Sequence, residues 1–263
     1  MTQMIPHTFR TRRNDCKNTA IGLALLLIVF SLVSIATTRS GQAQFAPPPQ
    51  ADSPEEFDAY LEVLSKAGPK EVILAAKEFE KKWPHSLLRG PVCQLELEAY
   101  RALNDSASAI AAGERALRFA PGNLAVLADL ATIIADSTTD PQQLVRAEED
   151  ARKLLETLET FKVPKWISPQ DWEKTEALLR SKAHAALGLV AYKRGEITQA
   201  IYEFETATRV APAPDPTQYY RLGMLYRASG KKREAIQMFQ RAVKLGEPLI
   251  RGLAERELQT LER

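Results

Sequence analysis

From Ser53 onward, apolar side chains recur every three or four residues, with polar and charged ones between them. That spacing puts one apolar stripe on each helix. Ser53-Pro54-Glu55-Glu56 supplies, in order, an N-cap, a first-turn proline and a capping-box glutamate. Phe57, Tyr60, Leu61 and Leu64 then follow at helical spacing, and Gly68-Pro69 stops the helix. A second helix is predicted from about Lys70 to Trp83, with Val72, Ile73, Ala76 and Phe79 on one side and Pro84 at its end. A hairpin follows over about 91–120. Another begins near Asn123, carries Leu127, Leu130 and Ile134, turns at Asp140-Pro141 and continues to about Phe161. After a break at 163–167, Ser168-Pro169 caps a helix running to Lys193. No stretch alternates with period two for long enough to predict a strand.

The strongest internal signal is a repeat at 35 residues. Leu187-Gly188 returns as Leu222-Gly223, Gly195 as Gly230, Ala200 as Ala235, Phe204 as Phe239 and Ala207 as Ala242. A period near this length marks a helix–turn–helix solenoid, in which a hairpin cannot bury its apolar face alone and leans on its neighbours. The two units span 181–212 and 216–247, and Arg251 to Arg263 is expected to form a charged terminal helix that caps the stack. The helices before and after the 163–167 break exceed the usual arm and are expected to project.

These positions resemble the tetratricopeptide repeat (TPR) family, whose loose motif has a bulky residue at position 4, Leu-Gly at 7 and 8, Tyr at 11, Gly at 15, Ala at 20, Phe at 24, Ala at 27 and Pro at 32. The last unit supplies Tyr219, Leu222, Gly223, Tyr226, Gly230, Ala235, Phe239 and Ala242, with Glu247 in place of Pro. The unit before it supplies Leu187, Gly188, Gly195, Ala200, Phe204, Ala207 and Pro212, with His184 at position 4 and Ala191 at position 11. The 91–121 unit matches at Tyr100, Ala109, Ala116 and Pro121. The hairpins at 54–84 and 123–161 match in pattern alone. The resemblance implies an all-α, right-handed solenoid of about five hairpins plus a capping helix, over residues 54–263.

It also implies a concave face lined by the first helix of each hairpin, at positions 2, 5, 9 and 12. Carried over, these are Lys182, Ala185, Leu189 and Tyr192, then Thr217, Tyr220, Met224 and Arg227, with Gln94, Glu98 and Arg101 in the 91–121 unit. The family's carboxylate clamp uses Lys and Asn at positions 5 and 9. Ala185 and Leu189 stand there, which argues against a clamp. The implied groove is Lys182, Ala185, Leu189, Tyr192, Tyr220, Met224 and Arg227, suited to an apolar or aromatic segment. Alternatively, neighbouring hairpins or the terminal helix cover these residues.

The first fifty residues change the picture. A basic stretch with Arg10, Arg12, Arg13 and Lys17 precedes Ala20–Ala36, seventeen residues without a charge. Small residues follow, at Ser34-Ile35-Ala36 and Gly41-Gln42-Ala43. Residues 1–43 therefore read as a secretory signal or as an uncleaved anchor with its tip in the cytoplasm. Either form exports the rest, to the periplasm or beyond or onto the inner membrane. Residues 44–53, with Pro47-Pro48-Pro49, read as a stiff linker. Residues 1–50 hold five basic and one acidic side chain; the remainder holds 30 and 32. A nearly neutral exported part offers no field to draw in nucleic acid.

Catalytic chemistry is not apparent. His7, His85 and His184 share no metal-ligand spacing with one another or with Cys93, and Cys93 sits at a packing position. Phosphate-cradling glycine loops, nucleophile elbows and HExxH helices are missing from the sequence. No cofactor, metal or small-molecule substrate is expected. The sequence points to a non-catalytic adaptor in a bacterial cell envelope, holding a protein or peptide. A membrane-tethered assembly factor is the second expectation. An enzyme or glycan-binding protein built on the 141–193 hairpin is a third. Trp166 and Trp172 flank the Ser168-Pro169 turn, either packing its tip or forming an exposed contact.

Overall fold

Ser53, Asp140, Ser168 and Asp215 each accept a backbone N–H of the following turn, at 2.8–3.1 Å, and a proline comes next in each case. These caps satisfy orphan donors and fix four of the helix starts. The computed structural model describes residues 51–211 and 213–262; the expected signal or anchor segment and most of the expected linker lie outside them. The described residues form eleven helices and no strand: α1 (Pro54–Ser65), α2 (Pro69–Lys82), α3 (Arg89–Ala102), α4 (Ser106–Phe119), α5 (Leu124–Ser137), α6 (Pro141–Thr160), α7 (Pro169–Lys193), α8 (Ile197–Val210), α9 (Pro216–Ala228), α10 (Lys232–Leu245) and α11 (Pro248–Glu262). The helices pair in sequence as five hairpins, and α11 packs on α10 and α9. The solenoid with its terminal helix is as the repeat predicts.

Three hairpin turns share one backbone device. Gly195, Gly230 and Asn104 all have positive φ, at 80°, 73° and 57°. The residue after each donates its N–H to the carbonyl five residues earlier: Glu196 to Ala191, Lys231 to Tyr226, and Asp105 to Tyr100. This is the Schellman closure, which needs a left-handed residue at the helix end. Asparagine tolerates that conformation better than other side-chain-bearing residues do, so the 91–121 unit makes the same turn without glycine.

Inside each late hairpin, an aromatic ring lies against a glycine. A Cβ on Gly223 would approach the Phe239 ring to 2.7 Å, and one on Gly188 would approach Phe204 to 2.9 Å. Ala200, Ala207, Ala235 and Ala242 are fully buried beside these rings. Small residues therefore let the paired helices close, and the rings fill the space. One large apolar core runs from α3 to α11, centred on α5, most of whose residues are buried. A smaller second core joins α1 and α2 to one side of α3.

The two long helices behave differently. Leu154 and Leu158 of α6 are buried, so α6 is packed almost to its end. The first buried residue of α7 is Leu179, ten residues into the helix. Ser181 donates to the Ala207 carbonyl at 2.9 Å, near the end of α8. About 18 Å of α7 precedes Ser181, at the usual rise per residue. The first turns of α7 therefore run past α8 with no fully buried side chain, while Phe161 and Trp172 pack at the edge of the large core. The terminal helix begins at Pro248, three residues before the expected start, because proline suits the first turn.

Candidate functional site

Among the first helices α3, α5, α7 and α9, the charges are organised around α5. Asp129 is only 1 % exposed. Its carboxylate takes Arg101 of α3 at 2.7 Å and Lys182 of α7 at 2.9 Å. A buried carboxylate needs such partners, since desolvation would otherwise force it neutral. On α3, the Gln94 amide donates to Glu98 at 3.4 Å and accepts from Asn123 at 3.0 Å. Burial pushes the Glu98 carboxyl above the ordinary carboxylate range.

At the other end of α5, the Lys193 ammonium donates to the carbonyls of Ala135, Asp136 and Thr138 at 2.5–2.8 Å. A cation there satisfies orphan carbonyls and the negative end of the helix dipole. Partial burial holds the Lys193 amine below its ordinary value. Arg221 of α9 reaches Asp136 at 2.5 Å. Three neighbouring first helices thus tie themselves to α5 by charged side chains.

The residues expected to line the groove divide into three groups. Ala185 and Leu189 are each 6 % exposed and belong to the large core. They lie on α7, which packs directly on α5, so the backbone approach that aligns the first helices also covers them. Lys182 is half-buried and engaged by Asp129, and Arg227 is paired with Glu257 of α11. Tyr192 is 53 % exposed. Tyr220 and Met224 are half-buried, with Tyr220 tilted against Phe239 at 5.8 Å between ring centroids. Thr217 is half-buried, and its N–H is used by the Asp215 cap. Of the expected groove residues, Tyr192, Tyr220 and Met224 are neither fully buried nor engaged in an ion pair among the described residues. Asp129 is the organising residue that repeat positions do not reveal. Its one signal is an acid in the middle of the apolar run Leu124–Ala135.

Two other arrangements were not legible. Glu80 of α2, Cys93 and Glu96 of α3 bring one ligand atom each within 4.8 Å of one another. The guanidinium of Arg115 bonds Glu96 and stands 3.8 Å from Glu80. That guanidinium supplies the positive charge the cluster needs. Cys93 donates to Glu80 at 3.3 Å, and burial pushes its thiol up to about 12. The thiolate is the reactive form. Cys93 should therefore resist iodoacetamide at neutral pH in the folded protein and label fully in urea, as read from its peptide by mass spectrometry. Fast labelling of the native chain would contradict this packing.

The second is an open cleft of about 770 Å³ between α6, the end of α7 and the start of α8. Glu148 of α6 meets Arg194 across it at 2.6 Å and Arg152, one turn on in its own helix, at 2.7 Å. Glu148 is thus shared by two guanidinium groups, and His184 of α7 pairs with Glu203 at 2.7 Å. Of the two tryptophans, Trp172 stacks on Phe161 at 4.8 Å, and Trp166 is 67 % exposed. Among the described residues, no helix is long and apolar enough to cross a membrane.

Comparison with known proteins supports the repeat reading. Residues 219–245 match the family model of the tetratricopeptide repeat. No curated protein matches the chain in sequence. Among solved structures, the fold is similar to that of TTC0263, a thermophilic TPR protein of Thermus thermophilus, at 14 % identity and a TM-score of 0.51, covering 80 % of this chain and 98 % of that one. It is similar to YrrB, a TPR protein with an unusual peptide-binding site, at 15 % identity and 0.51, covering 85 % and 97 %. It is also similar to PilW, a type IV pilus biogenesis factor, at 13 % identity and 0.52, covering 78 % and 91 %. At these identities the likeness is one of fold: a TPR-type helical scaffold.

Proposed function

We propose that this protein is a non-catalytic adaptor of the bacterial cell envelope that holds a protein or peptide segment on the inner face of its solenoid. The observation that supports it is that Tyr192, Tyr220 and Met224, at inner-face repeat positions of α7 and α9, are not fully buried; together they would form an apolar strip. Aromatic and Met side chains beside charge suit the buried centre of an interface. The charges around α5 are already paired, so the strip would select its segment by apolar contact more than by charge. A peptide-binding site in a protein of similar fold, YrrB, is consistent with this use.

A photo-crosslinking residue at Tyr192 tests the proposal, with the same residue at Tyr202 as the control. Tyr202 is equally exposed but lies on α8, a second helix. Crosslinks in the native host should form from position 192 and not from 202. Crosslinks from 202 alone, or equally from both, would remove the inner face from the account.

Export rests on the basic stretch and the Ala20–Ala36 run. A bacterial source rests on that signal type and on Cys93 as the single thiol left after cleavage. If the run is retained, the same scaffold is a membrane-tethered assembly factor, a role in keeping with PilW's description as a pilus biogenesis factor. The N-terminal residue of exported protein separates the two. A start near Thr37 or Gln44 leaves the released adaptor; an intact N-terminus leaves the tethered factor.

A further inference from the structure

The α6–α7 connection is the part of the fold whose exposed chemistry the inner face does not use. The Ile167 N–H closes a turn on the Pro164 carbonyl at 3.0 Å. That closure puts Lys165 and Trp166 at the two central positions, where side chains point away from the chain. Lys162 and Val163 precede the turn and are exposed. Below it, the stacked pair Phe161 and Trp172, nearly parallel at 16°, pins the two arms of the connection together. The turn is therefore held up as a defined tip. It sits beyond the end of α8, on the overhang of α7.

The charge of this tip has one sign. From Thr160 to Gln170 there are two lysines and no acid. Neither lysine forms an ion pair among the described residues. Of the bordering acids, Glu159 binds Arg180 at 2.9 Å, and Asp171 accepts from the neutral Ser168 hydroxyl at 2.7 Å. A wet tryptophan, an exposed valine and two unpaired ammonium groups on one turn cost the protein apolar exposure and return nothing to its core.

We propose that the Lys162–Trp166 turn is a membrane-interfacial contact whose partner is an anionic lipid surface. An indole has an apolar body and one N–H donor, which suits the headgroup boundary of a bilayer. Lysines beside it are drawn by the negative surface potential of anionic lipid and release counterions. Proline at the head of the turn keeps the segment from extending α6, so the tip does not need to refold to dock. A protein partner of the same turn would need acids opposite the two lysines and a pocket for the indole. A lipid surface supplies the charge and the apolar layer together. The contact goes beyond the adaptor role and does not depend on it.

The test uses the full chain in vesicles containing brominated phosphatidylcholine, with and without phosphatidylglycerol, and reads tryptophan fluorescence. With anionic lipid, the wild type should be quenched and Trp166→Phe should lose that component. The Lys162→Glu, Lys165→Glu double variant should lower the docked fraction on the order of tenfold. All three proteins should melt alike, since the altered side chains are exposed. Equal quenching of the wild type and Trp166→Phe would overturn the proposal. So would quenching indifferent to phosphatidylglycerol. Shielding of Trp166 that appears only when host membrane proteins are added would also overturn it, in favour of a protein contact.

Discussion

Phe239→Ala should lower the free energy of unfolding by about 3–5 kcal/mol, the usual cost of deleting a buried ring. Phe239 has no exposed surface, and its ring rests on the backbone of Gly223 in the paired helix. The loss combines transfer of the ring to water with the void left between α9 and α10. The pairing with Gly223 supplies an internal check. Gly223→Ala in the wild type must push its methyl against a ring only 2.7 Å away, so overpacking should cost roughly 1–3 kcal/mol. In a Phe239→Ala background the ring is gone, and the same substitution should be close to neutral. Urea denaturation of the four proteins gives the coupling energy. A Gly223→Ala penalty unchanged by removal of the ring would mean that the ring does not set the closeness of the two helices.

Arg115→Met should cost roughly 3 kcal/mol, near the low end for a broken buried pair because Arg115 itself is about one third exposed. The substitution strands Glu96, which is 1 % exposed, with Glu80 beside it. Adding Glu96→Gln should return most of that loss, because it removes the uncompensated charge. The sign of the pH dependence follows from the same group. Burial holds the folded Glu96 carboxyl above its ordinary 4.5. Between the ordinary and the raised value, the folded state binds more proton than the unfolded state, so stability falls as pH rises through that window. Below about 4.5 both states are protonated and the penalty vanishes. Above the raised value it is complete. Glu98 and Asp150 are raised by burial too and act in the same direction. The difference between wild type and Glu96→Gln isolates one residue, and the variant's stability should fall less across the window. A variant curve that falls as steeply as the wild type's would place the effect elsewhere.

The hairpins were legible because their determinants are local or periodic. Ser53, Ser168 and the prolines behind them announce helix starts, and the Gly195–Gly230 and Phe204–Phe239 spacings announce the stack. Asn104 hid its turn, since it does with a side chain what glycine does without one. The inner face was legible as a set of helix positions but not as a surface. Ala185 and Leu189 have the right register, yet they fall where α7 meets α5. How closely two first helices approach depends on residues of both, and a motif read on one hairpin does not contain that. Asp129 and the Glu80–Cys93–Glu96–Arg115 cluster stayed hidden for the same reason. Their partners come from helices 13 to 53 residues away in the chain. Spacing along a sequence reports on faces, and these sites are made between faces.

Native-state hydrogen exchange, resolved by helix, tests the stacked arrangement most directly. In a row of mutually supporting units, the middle one has neighbours on both sides and opens last. The slowest exchange is expected in α5, with protection falling stepwise toward α1–α2 and toward α11. Slowest exchange in a terminal hairpin, or α5 amides exchanging as fast as those of α1, would contradict it.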